Sequence, residues 1–117
     1  MIEKFGIGID ISNITRFEKK SFNKNKTFYN KIFSKNEISF CLKFKNHSEK
    51  FAGKFAIKEA LIKSINKKLQ FLDIETSHFN SKPTAKLVNS TEKYNFLVSL
   101  SHESDYAVAV VISEKII

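Results

Sequence analysis

The chain has 117 residues, 42% of them hydrophobic, with 20 Lys and Arg against 12 Asp and Glu. That length reads as one domain, residues 1–117, with a modest core, and the lone Cys41 excludes an internal disulfide and fits a reducing, cytoplasmic setting. The net charge of +8 predicts an acidic partner: nucleic acid, anionic lipid, a phosphorylated cofactor or an acidic protein.

The opening "MIEKFGIGID" lacks the pattern of a signal peptide, and no apolar run is long enough to span a bilayer, so no membrane partner is expected. "FGIGIDI", residues 5–11, reads as a strand. Alternation sends Phe5, Ile7, Ile9 and Ile11 toward a core and leaves Gly6, Gly8 and Asp10 on a stripped opposite face. A dinucleotide fingerprint fails, because a third glycine and a helix opening on the turn are missing. Ser12 is a candidate N-cap for "NITRFEKK", with Ile14 and Phe17 on its apolar side and Arg16, Lys19 and Lys20 on the other. Residues 21–31 read as a polar connection. Ser34 and Glu37 form a capping box that opens a helix through "EISFCLKF", where Cys41 is a packing residue.

The longest helical pattern runs from about Ser48 to Leu69. Phe51, Phe55, Ile62, Ile65 and Leu69 recur at helical spacing beside a smooth strip of Ala52, Ala56 and Ala60. "FLDIETSHF" and "PTAKLV" then read as two strands joined through Asn80-Ser81-Lys82-Pro83, and "NSTEKYN" as a short helix or turn. "FLVSLS" and "YAVAVVIS" close the chain as two more strands. The order predicts an α+β fold with a mainly antiparallel sheet packed on a long central helix.

Two carboxylates from separate elements, Asp10 and Glu59, form a candidate Mg²⁺ site, since that ion takes one or two carboxylates and completes its shell with water and phosphates. Lys54, Lys58 and Lys63 around that point would hold phosphates. The plainer alternative for Glu59 and Lys63, four residues apart, is a helix-surface ion pair worth a few tenths of a kcal/mol, on the order of 0.3. His102 ends a strand, with Ser99 and Ser101 read onto the same face; with His47 and His78 it lacks the spacing of a zinc site.

Three segments together, "GIGIDI", "FAGKFAIKEALIK" and "VSLSHESDYAVAVVI", resemble the small phosphopantetheinyl transferases, the holo-[acyl-carrier-protein] synthase family. The resemblance runs almost end to end and includes "FLDIE" and the Lys82-Pro83 pair. It implies transfer of 4'-phosphopantetheine from coenzyme A to a serine of apo-acyl carrier protein for fatty-acid synthesis. By match, Asp10 and Glu59 would be the Mg²⁺ ligands, and Glu59 and Lys63 the catalytic residues. Lys54, Lys58, Lys63, Pro83, Ser101 and His102 would line the coenzyme A site, and Arg16, with Lys19 and Lys20, would grip the acidic carrier. The family further implies a homotrimer with sites between subunits. The chain departs from the family pattern in three places. No glycine-rich turn follows the central helix, Lys54 replaces a frequent arginine, and Ser81 replaces the usual glycine before Lys82-Pro83.

The competing reading is a basic RNA-binding module. Against it, Arg16 is the only arginine, the Phe residues fall at core-periodic positions, and no strand displays aromatics in the manner of an RNA-binding sheet, so no nucleic-acid partner is expected. A broader-specificity transferase of the larger type would need about double this length.

Overall fold

The computed structural model describes residues 2–117. The elements are β1 (Phe5–Asn13), α1 (Thr15–Lys19), α2 (Lys26–Ile32), α3 (Lys35–Leu42), α4 (His47–Ser64), β2 (Ile74–Phe79), β3 (Lys82–Leu87), β4 (Lys93–Glu103) and β5 (Tyr106–Ile116). β1, β5 and β4 form an antiparallel sheet in that order, while β2 and β3 pair as a separate antiparallel hairpin. The α+β architecture with antiparallel sheets and a long helix is the one the sequence order predicts. No helix among the described residues is long and apolar enough to cross a membrane.

The faces of β1 are the reverse of the expectation. Ile7, Ile9 and Ile11 point outward at 67%, 59% and 62% exposure, while Gly8 and Ser12 are buried. The cause is α4, which lies directly on the glycine face. A Cβ on Gly8 would sit 1.9 Å from the Ala60 carbonyl oxygen, and one on Gly6 would sit 1.8 Å from that of Ser64. Only glycine admits a helix backbone this closely. Ala56 and Ala60 of α4 meet Ala109 of β5 in the same seam, so the contact is built from small residues. The glycines do not clear space for a ligand; they clear space for the helix.

The opposite face of the sheet then carries apolar residues with no cover in the described chain. Register places Ile7 beside Ile112 and Leu97, and Ile9 beside Val110 and Ser99. Ile112 and Leu97 are exposed.

Helix ends also differ from expectation. α4 stops at Ser64, five residues early, because the Ser113 hydroxyl donates to the Ser64 carbonyl at 2.9 Å and Ile65 turns extended into the core. The connection at residues 21–31 contains α2, whose Tyr29 is buried in an aromatic cluster with Phe17, Phe33 and Phe51. Phe33 caps α2 itself, but Phe17 and Phe51 come from α1 and α4, so most of what holds the helix is not local. The Ser34–Glu37 capping box forms, and Cys41 is buried, with burial pushing its thiol up to about 12. Asn80 and Ser81 form the two-residue β2–β3 turn with φ of 51° and 67°. Ser81 thus adopts the left-handed conformation that glycine more commonly fills.

Candidate active site

β1 and α4 cross at their glycine contact, and that crossing assembles one cluster. The Lys63 ammonium donates to the Ile9 carbonyl at 3.0 Å and to Asp10 Oδ1 at 3.3 Å. The Ser12 hydroxyl donates to Asp10 Oδ2 at 2.9 Å. Ser12 is therefore not the cap of α1; it lies within β1 and orients the aspartate. Glu59, one turn before Lys63, has its carboxyl pushed up by burial and by the Asp10 charge, with Lys63 and Arg16 pulling the other way. Two carboxylates and two cations thus share one electrostatic neighbourhood.

A divalent cation fits this donor set. The described residues contain no group of three or more His, Cys, Asp or Glu side chains that would cage an ion. Two carboxylates are nevertheless what Mg²⁺ uses when substrate phosphates complete its shell. Asp10 pushes the Glu59 carboxyl up after burial does, a repulsion that a divalent cation held by the two would offset.

A second cluster lies along the other side of α4. Lys54, Pro83 and His102 line a narrow cleft with Lys50, Phe40 and His78. It continues into a groove of about 390 Å³ that shares Phe40, Lys54, Ser77 and His78. The Lys54 ammonium donates to the Thr76 hydroxyl at 3.0 Å and sits 4.8 Å over the Phe40 ring. Burial holds its pKa below the ordinary lysine value. His102 Nδ1 lies 3.6 Å from Glu49, while its buried Nε2 has no hydrogen-bond partner among the described residues. The His78 ring stacks on Phe40 at 4.6 Å.

Two sequence-derived assignments change. Lys58 is fully buried, and its ammonium donates to Glu37 Oε1 at 2.7 Å, the Ile32 carbonyl at 2.7 Å and the Phe71 carbonyl at 3.1 Å. All three bonds an ammonium can donate are spent inside the protein, so Lys58 faces no phosphate. Glu37 is buried with it; burial raises its carboxyl, but the charge and hydrogen bond of Lys58, with the Thr76 and Ser34 bonds, hold it below the usual range. Ser101 also separates from His102. Ser99 and Ser101 point to the outer sheet face and His102 to the α4 side, since successive strand residues alternate.

Sequence reasoning missed Ser12, Glu49, Lys50 and Thr76. Ser12 carried a local signal, two residues from Asp10 on the same strand face. Lys50 also lies one turn from Lys54 on α4, whereas Glu49 and Thr76 gain their roles from partners that arrive only in the fold.

The model of the 4'-phosphopantetheinyl transferase superfamily matches residues 6–111. A holo-[acyl-carrier-protein] synthase of Clostridium kluyveri is 42% identical, covering 94% of this chain and 90% of its own length. One from Bacillus cereus is 40% identical over 93% of this chain and 94% of its own. Among solved structures, the Helicobacter pylori holo-[acyl-carrier-protein] synthase in complex with coenzyme A superposes with a TM-score of 0.77 at 36% identity, covering 92% of this chain and 99% of that one. The Bacillus anthracis synthase in complex with CoA (3',5'-ADP) gives 0.75 at 37% identity, covering 93% and 95%. With the strand, helix and paired carboxylates in place, and with matches spanning nearly the whole sequence, the chain belongs to the 4'-phosphopantetheinyl transferase superfamily.

Proposed function

We propose that this protein is a holo-[acyl-carrier-protein] synthase that uses Mg²⁺, Asp10, Glu59 and Lys63 to move 4'-phosphopantetheine from coenzyme A to a serine of apo-acyl carrier protein. The single observation that carries the site assignment is the convergence of those three side chains where β1 crosses α4. Relatives at 42% and 40% identity bear that synthase name, and solved relatives bind coenzyme A.

Asp10 and Glu59 would hold the ion, which supplies positive charge to the diphosphate when bound. Ser12 and Lys63 fix the Asp10 carboxylate from two sides. The half-exposed Lys63 ammonium adds charge where negative charge develops on the transferring and leaving groups. The serine oxygen attacks the phosphorus next to the pantetheine, and the bond to the adenosine 3',5'-bisphosphate leaving group breaks. Glu59 accepts the serine proton directly or through one water. Lys54, Pro83 and His102 form the nucleotide cleft. Lys58 braces α4 from inside.

We further infer a cytoplasmic homotrimer, consistent with a single buried cysteine and a transferase domain filling residues 1–117. The uncovered sheet face of Ile7, Ile9, Ile11, Leu97 and Ile112 supports assembly, because an apolar face of this kind marks an interface. Ser101 lies on that same face, so it approaches a nucleotide from a neighbouring subunit. A hollow of about 700 Å³ beside Lys63 runs onto the face through Ile7 and Ile112, and a second subunit is its fitting occupant.

The test is the intact mass of an apo-acyl carrier protein incubated with this protein, coenzyme A and Mg²⁺. A gain of one phosphopantetheine, absent when the carrier serine is replaced by alanine, is expected. An unchanged mass would refute the reading.

A further inference from the structure

α1 is five residues long, too short to persist as a helix on its own. It nevertheless carries Arg16 and Lys19, with Lys20 at its end, the cations read here as the carrier-docking face. What holds it comes from outside the helix. At its start, Asn13 Oδ1 accepts from the Thr15 amide at 3.0 Å and the Thr15 hydroxyl at 2.7 Å. At its other end, the hydroxyl of Tyr29, from α2, reaches the carbonyls of Phe17 (3.3 Å) and Lys20. Terminal helix carbonyls have no partner within their helix, so Tyr29 serves as a cap supplied by another element.

The cations are seated by the same aromatic group. The Arg16 guanidinium lies 5.2 Å from the Phe55 ring centre, and the Lys20 ammonium lies 4.5 Å from that of Phe28. Phe28 and Phe55 both pack on Phe17, the buried residue of α1, at 6.2 and 5.9 Å. Tyr29 touches Phe17 and Phe28 in turn. Burial, with the Cys41 charge adding, pushes the Tyr29 hydroxyl up to about 12, so it remains a donor at neutral pH.

We propose that Tyr29 is a positioning residue for carrier-protein recognition: its hydroxyl fixes the end of α1 and so pre-sets Arg16 and Lys20 on their aromatic seats. The proposal rests on the reading of α1 as the carrier-docking face. Cations already held in the docking geometry lose less freedom on binding than mobile ones, and that saving goes to the carrier complex alone. Asp10 and Lys63 keep their own bonds at the crossing of β1 and α4, so the loss falls first on the carrier complex.

The test is Tyr29→Phe, which keeps the buried ring and removes only the hydroxyl. Loss of one such bond is expected to raise the KM for carrier protein about 3- to 10-fold, with the KM for coenzyme A unchanged. Amide exchange at residues 17–21 should accelerate while that of α4 stays slow. In an Arg16→Glu, Lys20→Glu background the same substitution should have no further effect on the carrier KM. If Arg16→Glu raises the carrier KM and Tyr29→Phe does not, this proposal falls and the docking reading stands. Equal rises in both KM values, or a persisting effect in the charge-reversed background, would show general loosening and overturn it too. If Arg16→Glu leaves the carrier KM unchanged, the docking reading falls and takes this inference with it. Should Tyr29→Phe not fold, Phe28→Leu removes the seat under Lys20, and the same split in KM is required of it.

Discussion

Gly8→Ala perturbs the contact that holds the site together. The added methyl carbon would lie 1.9 Å from the Ala60 carbonyl oxygen and 2.9 Å from both the Ala60 carbonyl carbon and the Ser64 nitrogen. All three are backbone atoms of α4, so no rotamer change relieves them. Restoring an ordinary contact of 3.4 Å requires β1 and α4 to separate locally by about 1.5 Å. Overpacking of this kind costs about 1–3 kcal/mol, or a fall in melting temperature of roughly 5–15 °C for a chain of this size. The separation also falls between Asp10 on β1 and Glu59 and Lys63 on α4, where a misplacement of about 1 Å costs about 10²-fold in rate. Thermal melts by circular dichroism and initial rates of carrier modification by intact mass read the two effects together. Gly53→Ala is the control for the melt alone, since its Cβ would meet only side-chain ends, Leu100 Cδ2 at 3.0 Å and His102 Nε2 at 3.4 Å. The helix propensity gained there, about 1 kcal/mol, offsets the crowding. A Gly8→Ala protein with parental melting temperature and rate would refute the close-packing account of the site.

Asp10→Ala and Glu59→Ala should each lower turnover by about 10²-fold or more while the protein stays folded, measured by single-turnover mass analysis and circular dichroism. Glu59→Gln should melt higher than the parent at neutral pH: a carboxyl whose pKa is raised in the folded state destabilises that state once ionised. The difference should close as pH falls through the raised Glu59 range, where the parent glutamate becomes neutral; melts across a pH series check it. Lys58→Met strands the buried Glu37 carboxylate and should cost about 3–5 kcal/mol in urea unfolding, with much of the loss recovered in the Lys58→Met, Glu37→Leu pair. Ile9→Glu on the uncovered sheet face should convert a trimer in sedimentation to monomers with little activity; a trimer of undiminished activity would sink the shared-site reading.

The fold was legible where the signal is local. The Ser34–Glu37 capping box, the small-residue strip of α4 and the Asn80–Ser81 hairpin each act within a few residues. The orientation of β1 was not, because alternation shows that two faces differ and not which one meets a partner. Four large apolar residues opposite two glycines read as core, yet the helix chose the glycines for close approach, leaving the isoleucines for another surface. Asp10, Glu59 and Lys63 were readable as a cluster because each lies at the crossing of two strongly patterned elements. Lys58 was misread for an instructive reason. A lysine one residue before Glu59 shares its helix but faces about 100° away, which is enough to move from the site to the interior.

That rotation separates two kinds of charge on one helix. Lys58 and Glu37 are neutralised within the protein, and their bonds to α2, α3 and the Phe71 carbonyl tie the neighbouring segments to α4. Lys63 has two bonds and substantial exposure, and Glu59 carries a carboxyl raised by its neighbours, so both retain unsatisfied capacity. A rigid helix with an internally satisfied face can present an unsatisfied one without relaxing toward it, because its position is fixed elsewhere. The glycines of β1 complete that division: they bring Asp10 close enough to raise Glu59, and the buried Lys58–Glu37 pair prevents α4 from retreating. In the proposed function, that repulsion between the Asp10 and Glu59 carboxylates is what a cation and a diphosphate would relieve.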